Sequence, residues 1–321
     1  MTQVTAIAHP NFALIKYWGK ADSRSNIPAM SSISLTIDSL TSTTRISINT
    51  DSTENIWTLN GKDQDDLGRI NPVLKYLNNI SRNNFGCIIK SENNFPTSAG
   101  LASSASGIAS LVIAYNKLFR LDVSFDQLLK ASMIGSGSAP RSLLGGFVFL
   151  NIEEQPSIKT IMEPEEWPLS MIICITDDKE KIISSREGME ISRKTSSFYQ
   201  SWLDSNKADI QIAKSAIAEK NIKSLGEVAE KNCFLMHKVM KTSSPQLNYM
   251  TERTNNCIKE IKATREDGAE LFFTVDAGPQ VKIVCKPEDK ELIKDRLIDK
   301  PYVMTLVEAN IGLGARIIDE S

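Results

Sequence analysis

The sequence predicts an α+β chain in two halves, with a soft boundary near 178–185. Three patterns predict it. Strand-like and helical stretches alternate through the first half. Beyond about residue 180 the chain turns to long, charged, amphipathic helices. It closes on two apolar strands around a tight turn, then a helix and a last strand.

Each element follows from its local pattern. In "NFALIKYWGKAD" (11–22), Phe12, Leu14 and Ile15 mark a strand entering a core. "TTRISINT" (43–50) alternates polar and apolar residues as a half-buried strand does, and "GCIIKSE" (86–92) reads as another. Residues 103–119 place Ile108, Leu111, Val112, Tyr115, Leu118 and Phe119 at helical spacing. "FDQLLKASMIGSG" (125–137) is a second helix running into glycines. "GGFVFLNI" (145–152) and "LSMIICIT" (169–176) are strands. The charge-rich "TDDKEKIISSREGM" (176–189) is the crossover between halves, expected to divide the chain into 1–180 and 181–321. Helices follow over 204–221, 224–241 and roughly 247–266. "ELFFTVDAGPQVKIVCK" (270–286) gives two strands around DAGPQ, "KELIKDRLID" (290–299) a helix and "YVMTLVEAN" (302–310) a final strand.

Composition bounds the function. At 321 residues, 41% hydrophobic and 24% charged, the chain has the make-up of an ordinary soluble globular protein and can bury a sizeable core. A formal charge of −2 with no basic block argues against nucleic acid or an anionic membrane as partner, so an anionic substrate needs local charges. No segment has the ~18 uninterrupted apolar residues of a membrane span, and the N-terminal residues lack the pattern of a signal peptide. Cys87, Cys174, Cys233, Cys257 and Cys285 are widely spaced with no CxxC, which reads as reduced, buried thiols of a cytoplasmic protein. With only His9 and His237, a histidine-rich metal site is excluded by count. The chemistry then falls to Lys, Arg, Asp, Ser and a bound ion.

Four segments carry that chemistry, each with a plainer alternative. In "PTSAGLASSASG" (96–107), serines ahead of an apolar helix are natural N-caps. The same Gly100 and Ala99 also let an anion approach backbone N–H groups at the positive end of a long helix. There is no GxxxxGK[ST] anywhere in the chain. In 11–22, Lys16 and Lys20 flank Tyr17, Trp18 and Gly19, either as snorkelling lysines at a strand end or as holders of a phosphate-bearing ligand. In "GSGSAPRSLLGG" (135–146), Arg141 is either a surface arginine on a flexible turn or a bidentate carboxylate grip. In "FFTVDAGPQ" (272–280), Asp276 is either an Asx-type turn residue or a carboxylate buried for a reason.

Together these segments resemble the diphosphomevalonate decarboxylases of the galactokinase–homoserine kinase–mevalonate kinase–phosphomevalonate kinase superfamily. "PTSAGLASSA" (96–105) is similar to the superfamily's phosphate loop, and "IKYWGK", "SSISLT", "GSGSAPRSL..GG", "SSREGM" and "DAGP" match in the family's order from residue 11 to 280. Some positions depart: Gln280 stands for Asn, Pro140 for Cys, Met30 for Asn, and Met133–Ile134 lack an arginine.

The resemblance implies a two-domain small-molecule kinase fold. Its N-terminal half is ribosomal-protein-S5-like and holds nucleotide, its C-terminal half is ferredoxin-like, and a cleft lies between. It implies ATP-dependent decarboxylation of (R)-5-diphosphomevalonate to isopentenyl diphosphate, with Mg²⁺. Asp276 would face the 3-hydroxyl, Lys16 would hold Asp276 as the anion, and Arg141 would grip the substrate carboxylate. Tyr17, Lys20, Ser138, Ser185, Arg186 and Met189 would line the substrate. Ser98, Ala99, Gly100, Leu101, Ala102, Ser103 and Ser104 would cradle the ATP phosphates, with Ser104 also placed for Mg²⁺ and Lys181 closing over ATP. A homodimer is implied as well. A phosphomevalonate decarboxylase or mevalonate 3-kinase is the alternative within the superfamily, a plain small-molecule kinase such as homoserine kinase a broader one. A non-catalytic nucleotide-binding regulator is the alternative from another class.

Overall fold

The structure is a computed structural model and describes residues 3–22, 25–83, 85–96, 100–121, 123–179 and 182–320. Its N-terminal part runs β1 (Gln3–Ala8), β2 (Asn11–Ile15), β3 (Lys20–Asp22), β4 (Ile27–Pro28), β5 (Ser32–Thr36), β6 (Ser42–Asn49), β7 (Ile56–Leu59) and β8 (Lys62–Asp63). Then come α1 (Ile70–Ser81), β9 (Gly86–Asn93), α2 (Ser103–Leu118), α3 (Phe125–Gly135), β10 (Phe147–Asn151), β11 (Ser157–Met162) and β12 (Ser170–Ile175). The rest is α4 (Ser185–Thr195), α5 (Tyr199–Ala218), α6 (Ile222–Lys241), α7 (Glu252–Glu266), β13 (Leu271–Val275), β14 (Val281–Cys285), α8 (Lys290–Leu297), β15 (Thr305–Asn310) and β16 (Arg316–Glu320).

The first sheet has the order β16-β1-β6-β9-β7-β8 and is antiparallel except where β7 meets β9. One face is apolar at every second residue, with Val4, Ala6 and Ala8 of β1, Ile46 of β6 and Cys87 and Ile89 of β9 buried under α1 and α2. Two hydroxyl pairs join β6 to α2: Ser42 Oγ lies 2.7 Å from Ser106 Oγ, and Thr44 Oγ1 lies 2.8 Å from Ser110 Oγ. Ser106 and Ser110 are one helical turn apart, so the helix stripe that meets the sheet is small and polar but fully paired.

The second sheet, β11-β10-β5-β2, and the third, β13-β14-β12-β15, share a core with α5 and α6. Strands β12, β13 and β14 of the third sheet are buried on both faces, which explains their almost unbroken apolar runs. Met171, Ile173, Phe272 and Val284 face the shared core, while Ile172, Cys174, Phe273 and Ile283 join a separate core that includes α7 and α8 residues. Helix α6 lies close to β13 at Gly226, where a Cβ would stand 2.6 Å from the Cβ of Phe272. Two strands stitch the halves together. β12, ahead of the division expected at 180/181, pairs with β14 and β15. β16, far beyond it, pairs with β1.

The strand and helix expectations hold with shifted ends. The helix expected from 204 begins at Tyr199, and the one expected from about 247 begins at Glu252, where Thr251 and Thr254 form a capping box. The last expected strand begins at Thr305. The crossover contains α4, started by Ser184, whose side chain accepts from Glu187 N at 3.2 Å. Helix α1 escaped the sequence reading. Its Pro72 falls in the first turn, where a missing N–H costs nothing, and Ile70, Val73, Leu74 and Leu77 supply its buried stripe.

Phe272 is fully buried where α6, β13 and the shared core meet. Phe272→Ala should cost about 3–5 kcal/mol in urea unfolding. A loss below about 1 kcal/mol would contradict this packing.

Candidate active site

The four chemistry-bearing segments converge on one cleft of about 580 Å³. Lys16, Tyr17, Lys20, Ser138, Arg141, Ser185, Arg186, Met189 and Asp276 all line it, as do Gly100, Leu101, Ala102, Ser103 and Ser104. Ser98, Ala99 and Lys181 lie outside the described residues.

Asp276 stands at the tip of the β13–β14 hairpin. That tip is rigid because Pro279 O accepts from Thr176 Oγ1 at 2.9 Å and from Thr254 Oγ1 at 2.8 Å. Gln280 Oε1 accepts from Thr176 N at 2.8 Å, so the longer side chain in the family's Asn position serves as a brace. Lys16, at the end of β2, donates from Nζ to Asp276 Oδ1 at 2.5 Å. Lys282, on β14, places Nζ 3.2 Å from Asp276 Oδ2. Burial pushes the carboxyl's pKa up, but the Lys16 and Lys282 charges outweigh it and hold Asp276 well below the usual carboxylate range. The backbone of Lys16 is fixed as well. Its N–H donates to Asn232 Oδ1 at 2.7 Å, and Asn232 Nδ2 donates to the buried carboxylate of Asp209 at 2.8 Å. His237, close behind this group, is pushed down to about 4 by burial, with Lys16 adding to the fall, and so is neutral at physiological pH.

Arg141 is buried beneath the cleft, in a short 3₁₀ turn, Ala139–Ser142, with Pro140 at its start. Its Nε donates to Asn11 Oδ1 at 3.0 Å and its Nη1 to Ser32 Oγ at 2.6 Å. Burial lowers it to about 10, with Tyr17 and Asp276 acting the other way. Both named bonds go to neutral groups, so the guanidinium keeps positive charge at the cleft, offset by Asp276 without a direct bond.

The phosphate-loop reading is sharpened and one part of it corrected. No serine caps α2. Its N-cap is Ala102, at φ +57°, with no side-chain cap bond, so the first-turn N–H groups are not taken up by a serine. Gly100 has φ +82°, and a Cβ there would stand 3.2 Å from Gly278 Cα, so the loop presses on the tip that carries Asp276. Ser103 and Ser104 face the cleft, while Ser106 belongs to the β6 contact. Ser104 Oγ lies 3.4 Å from Ser136 Oγ, which is 3.2 Å from Ser138 Oγ, a hydroxyl row fit for anionic oxygens. Among the described residues no three His, Cys, Asp or Glu groups cluster to hold a metal. A divalent ion therefore fits here only in company with phosphates, with Ser104 as a hydroxyl partner.

The far end of the cleft is cationic. Lys20, Arg69 and Arg186 gather around Tyr17, and Lys20 Nζ donates to Asn26 Oδ1 at 2.5 Å. Burial pushes Lys20 down to about 8, helped by the charges of Arg186 and Arg69 and opposed by Glu190. Arg69 is likewise lowered by burial and by Arg186. Such mutual repulsion marks a site built for an anion. Asn11, Asn26, Arg69, Asn232 and Lys282 were not legible as site residues. Only Lys282 left a signal, a lysine inside the apolar run "VKIVC".

Comparison with known proteins places the chain. Residues 8–159 match the family of diphosphomevalonate decarboxylase-like N-terminal domains, and residues 171–306 the mevalonate 5-diphosphate decarboxylase C-terminal domain. The diphosphomevalonate decarboxylase of Debaryomyces hansenii is 32% identical over 90% of this chain and 81% of its own length. The structure of mevalonate diphosphate decarboxylase from Staphylococcus aureus is similar at TM-score 0.93 and 35% identity, covering 99% of this chain and 98% of that one. A solved complex, "MDDEF in complex with MVAPP, AMPPCP and Magnesium", is similar at TM-score 0.91 and 34% identity, over 99% of both chains.

The depressed Lys20 generates a test. With pyrophosphate as probe, binding should take up a proton near pH 8 and weaken as pH rises through that value, because the ligand favours the charged lysine. Calorimetry in buffers of different ionisation heat reads the proton. Lys20→Met should abolish both effects, and their survival in that variant would remove Lys20 from the anion site.

Proposed function

The chain belongs to the diphosphomevalonate decarboxylase family, and we propose that it converts (R)-5-diphosphomevalonate and ATP to isopentenyl diphosphate, ADP, phosphate and CO₂. The observation that carries this reading is the Asp276 carboxylate held between two lysines, beside a phosphate loop and a buried Arg141. It is an enzyme, and its co-substrate is ATP with Mg²⁺. The ion accompanies the nucleotide and offsets phosphate charge. A second reading, action on the monophosphate or on mevalonate, is less well supported, because Lys20, Arg69 and Arg186 together match the charge of a diphosphate. A plain kinase such as homoserine kinase leaves the segments KYWGK and GSGSAPRS unexplained, and a non-catalytic regulator leaves Lys16, Asp276 and Arg141 without work.

The chemistry follows from charge. An alcohol is roughly a dozen pKa units more basic as its alkoxide than an aspartate, whose ordinary pKa is about 4. Asp276 therefore orients the 3-hydroxyl and takes its proton late, as a loose phosphoryl transfer permits. The hydroxyl oxygen bonds to the γ-phosphorus as the bond to ADP breaks. Lys16 offsets charge on the transferring group. The C3–O bond then breaks and phosphate leaves with its electron pair. The C1–C2 bond breaks too, its pair becoming the C2–C3 double bond as CO₂ departs. Arg141 grips the carboxylate, but charge leaves that group during the step, so its contribution is positioning rather than stabilisation.

Tyr17, Ser138, Ser185, Arg186 and Met189 line the substrate, with Ser185 and Arg186 opening α4, so the ligand bridges both halves. Gly100 to Ser104 hold the nucleotide phosphates. Ser98, Ala99 and Lys181 complete that site in this proposal. The same proposal assigns 1–180 to the nucleotide-holding half and 181–321 to the closing half, with β12 and β16 exchanged between them. It includes a cytoplasmic location, supported by five unpaired, buried cysteines, and a homodimer, supported by family resemblance. Among the described residues no helix is long and apolar enough to cross a membrane.

The test is incubation with MgATP and mevalonate, its 5-phosphate or its 5-diphosphate, with mass analysis of products. The diphosphate should have the highest kcat/KM and release CO₂ and ADP in equal amounts. A higher kcat/KM for either other compound would overturn the named substrate. Asp276→Asn should fold, bind nucleotide and lose at least about 100-fold in kcat. A near-normal rate would remove Asp276 from its role.

A further inference from the structure

Lys282 is fully buried, does not line the cleft, and sits in a strand whose other residues are all apolar. The register explains where it points. Val281, Ile283 and Cys285 face the α7–α8 core, so Lys282 shares the opposite face with Val284. A methionine would fill that space against Phe12, whose ring centroid lies 5.0 Å from Lys282 Nζ. A buried ammonium is costly unless fully paired, so the charge needs a reason.

The partners supply it. Lys282 Nζ lies 3.2 Å from Asp276 Oδ2, 3.2 Å from Gly100 O and 3.2 Å from Gln280 O. An ammonium has three N–H groups, and these three oxygens account for them. Lys16 differs: its ammonium meets Asp276 Oδ1 and lines the cleft. The two lysines therefore hold opposite oxygens of one carboxylate. Lys16 keeps donors for a ligand, and Lys282 keeps none. A carboxylate held at one oxygen can still turn about its Cβ–Cγ bond, whereas one held at both cannot.

Resting on the reading of Asp276 as proton acceptor, we propose that Lys282 is a positioning residue that fixes the rotation of the Asp276 carboxylate and ties it to the phosphate loop through Gly100. Through this tie, the loop that holds the nucleotide and the group that receives the hydroxyl proton keep one spacing. Lys282 acts through Asp276 and touches no substrate.

The test is a double-mutant cycle on Lys282→Met and Asp276→Asn, with kcat expressed per nucleotide site counted by MgAMPPCP binding, so that unfolded protein does not enter the rate. In the Asp276 background Lys282→Met should lower kcat by tenfold or more. In the Asp276→Asn background it should change the residual kcat less than threefold, since the group it positions is gone. A loss under tenfold in the first background overturns the proposal. So does a similar loss in both backgrounds, which marks a merely structural role. If Lys282→Met yields no nucleotide sites, Lys282→Gln, which keeps a donor without the charge, is read against the same limits. Failure of the unmodified protein to turn over any mevalonate compound would instead defeat the function proposed above.

Discussion

One carboxylate between two ammonium groups sets the terms for this molecule. Asp276, Lys16 and Lys282 come from the tip of a hairpin, the end of β2 and the second residue of β14. None of them is a neighbour of another in three-residue reach along the chain, so only the packed fold holds them together. Burying two ammonium groups against a partly buried carboxylate is tolerable because each charge has a partner. The sum is one positive charge, and Arg141 adds another nearby. A phosphate in transfer is the kind of charge such a site lacks.

The scaffold spends its most regular structure on holding that group still. The hairpin tip is tied by Thr176, Thr254 and Gln280, and the end of β2 by Asn232 and Asp209. The phosphate loop meets the tip at Gly100 and Gly278, where absence of side chains lets two backbones touch. Strands β12 and β16 pair with strands distant in sequence and so tie the walls of the cleft to remote parts of the chain. Precision of this kind depends on such support, because small displacements of a reacting group are costly in rate.

Much of this was legible in the sequence, for physical reasons. Periodicity exposed β6, α2 and the apolar hairpin. Residue chemistry exposed Lys16, Arg141 and Asp276, though only their resemblance to a family ordered them into one site. Serines in the first turn of α2 were the ambiguous case. The N-cap preference suggested capping, but the structure divides them, with Ser106 on β6 and Ser103 and Ser104 on the cleft. Arg69 and Asn232 could not be found, because a single charged residue ahead of a helix, or a single amide on one, has no pattern that separates a site face from a solvent face. Lys282 was visible only as an irregularity in a core strand, and its meaning needed the register that turns it toward Asp276.

The rest of the site depends on Asp276 being an anion pinned by both lysines. Carbon-13 labelling of aspartate, with Asp276→Asn to assign the signal, reads this directly. The Asp276 carboxyl resonance should stay at its ionised position from pH 8 to pH 5, since the two cations hold its pKa below the usual range. Burial without that clamp would raise the pKa instead. A titration of the assigned signal within this window would contradict the account.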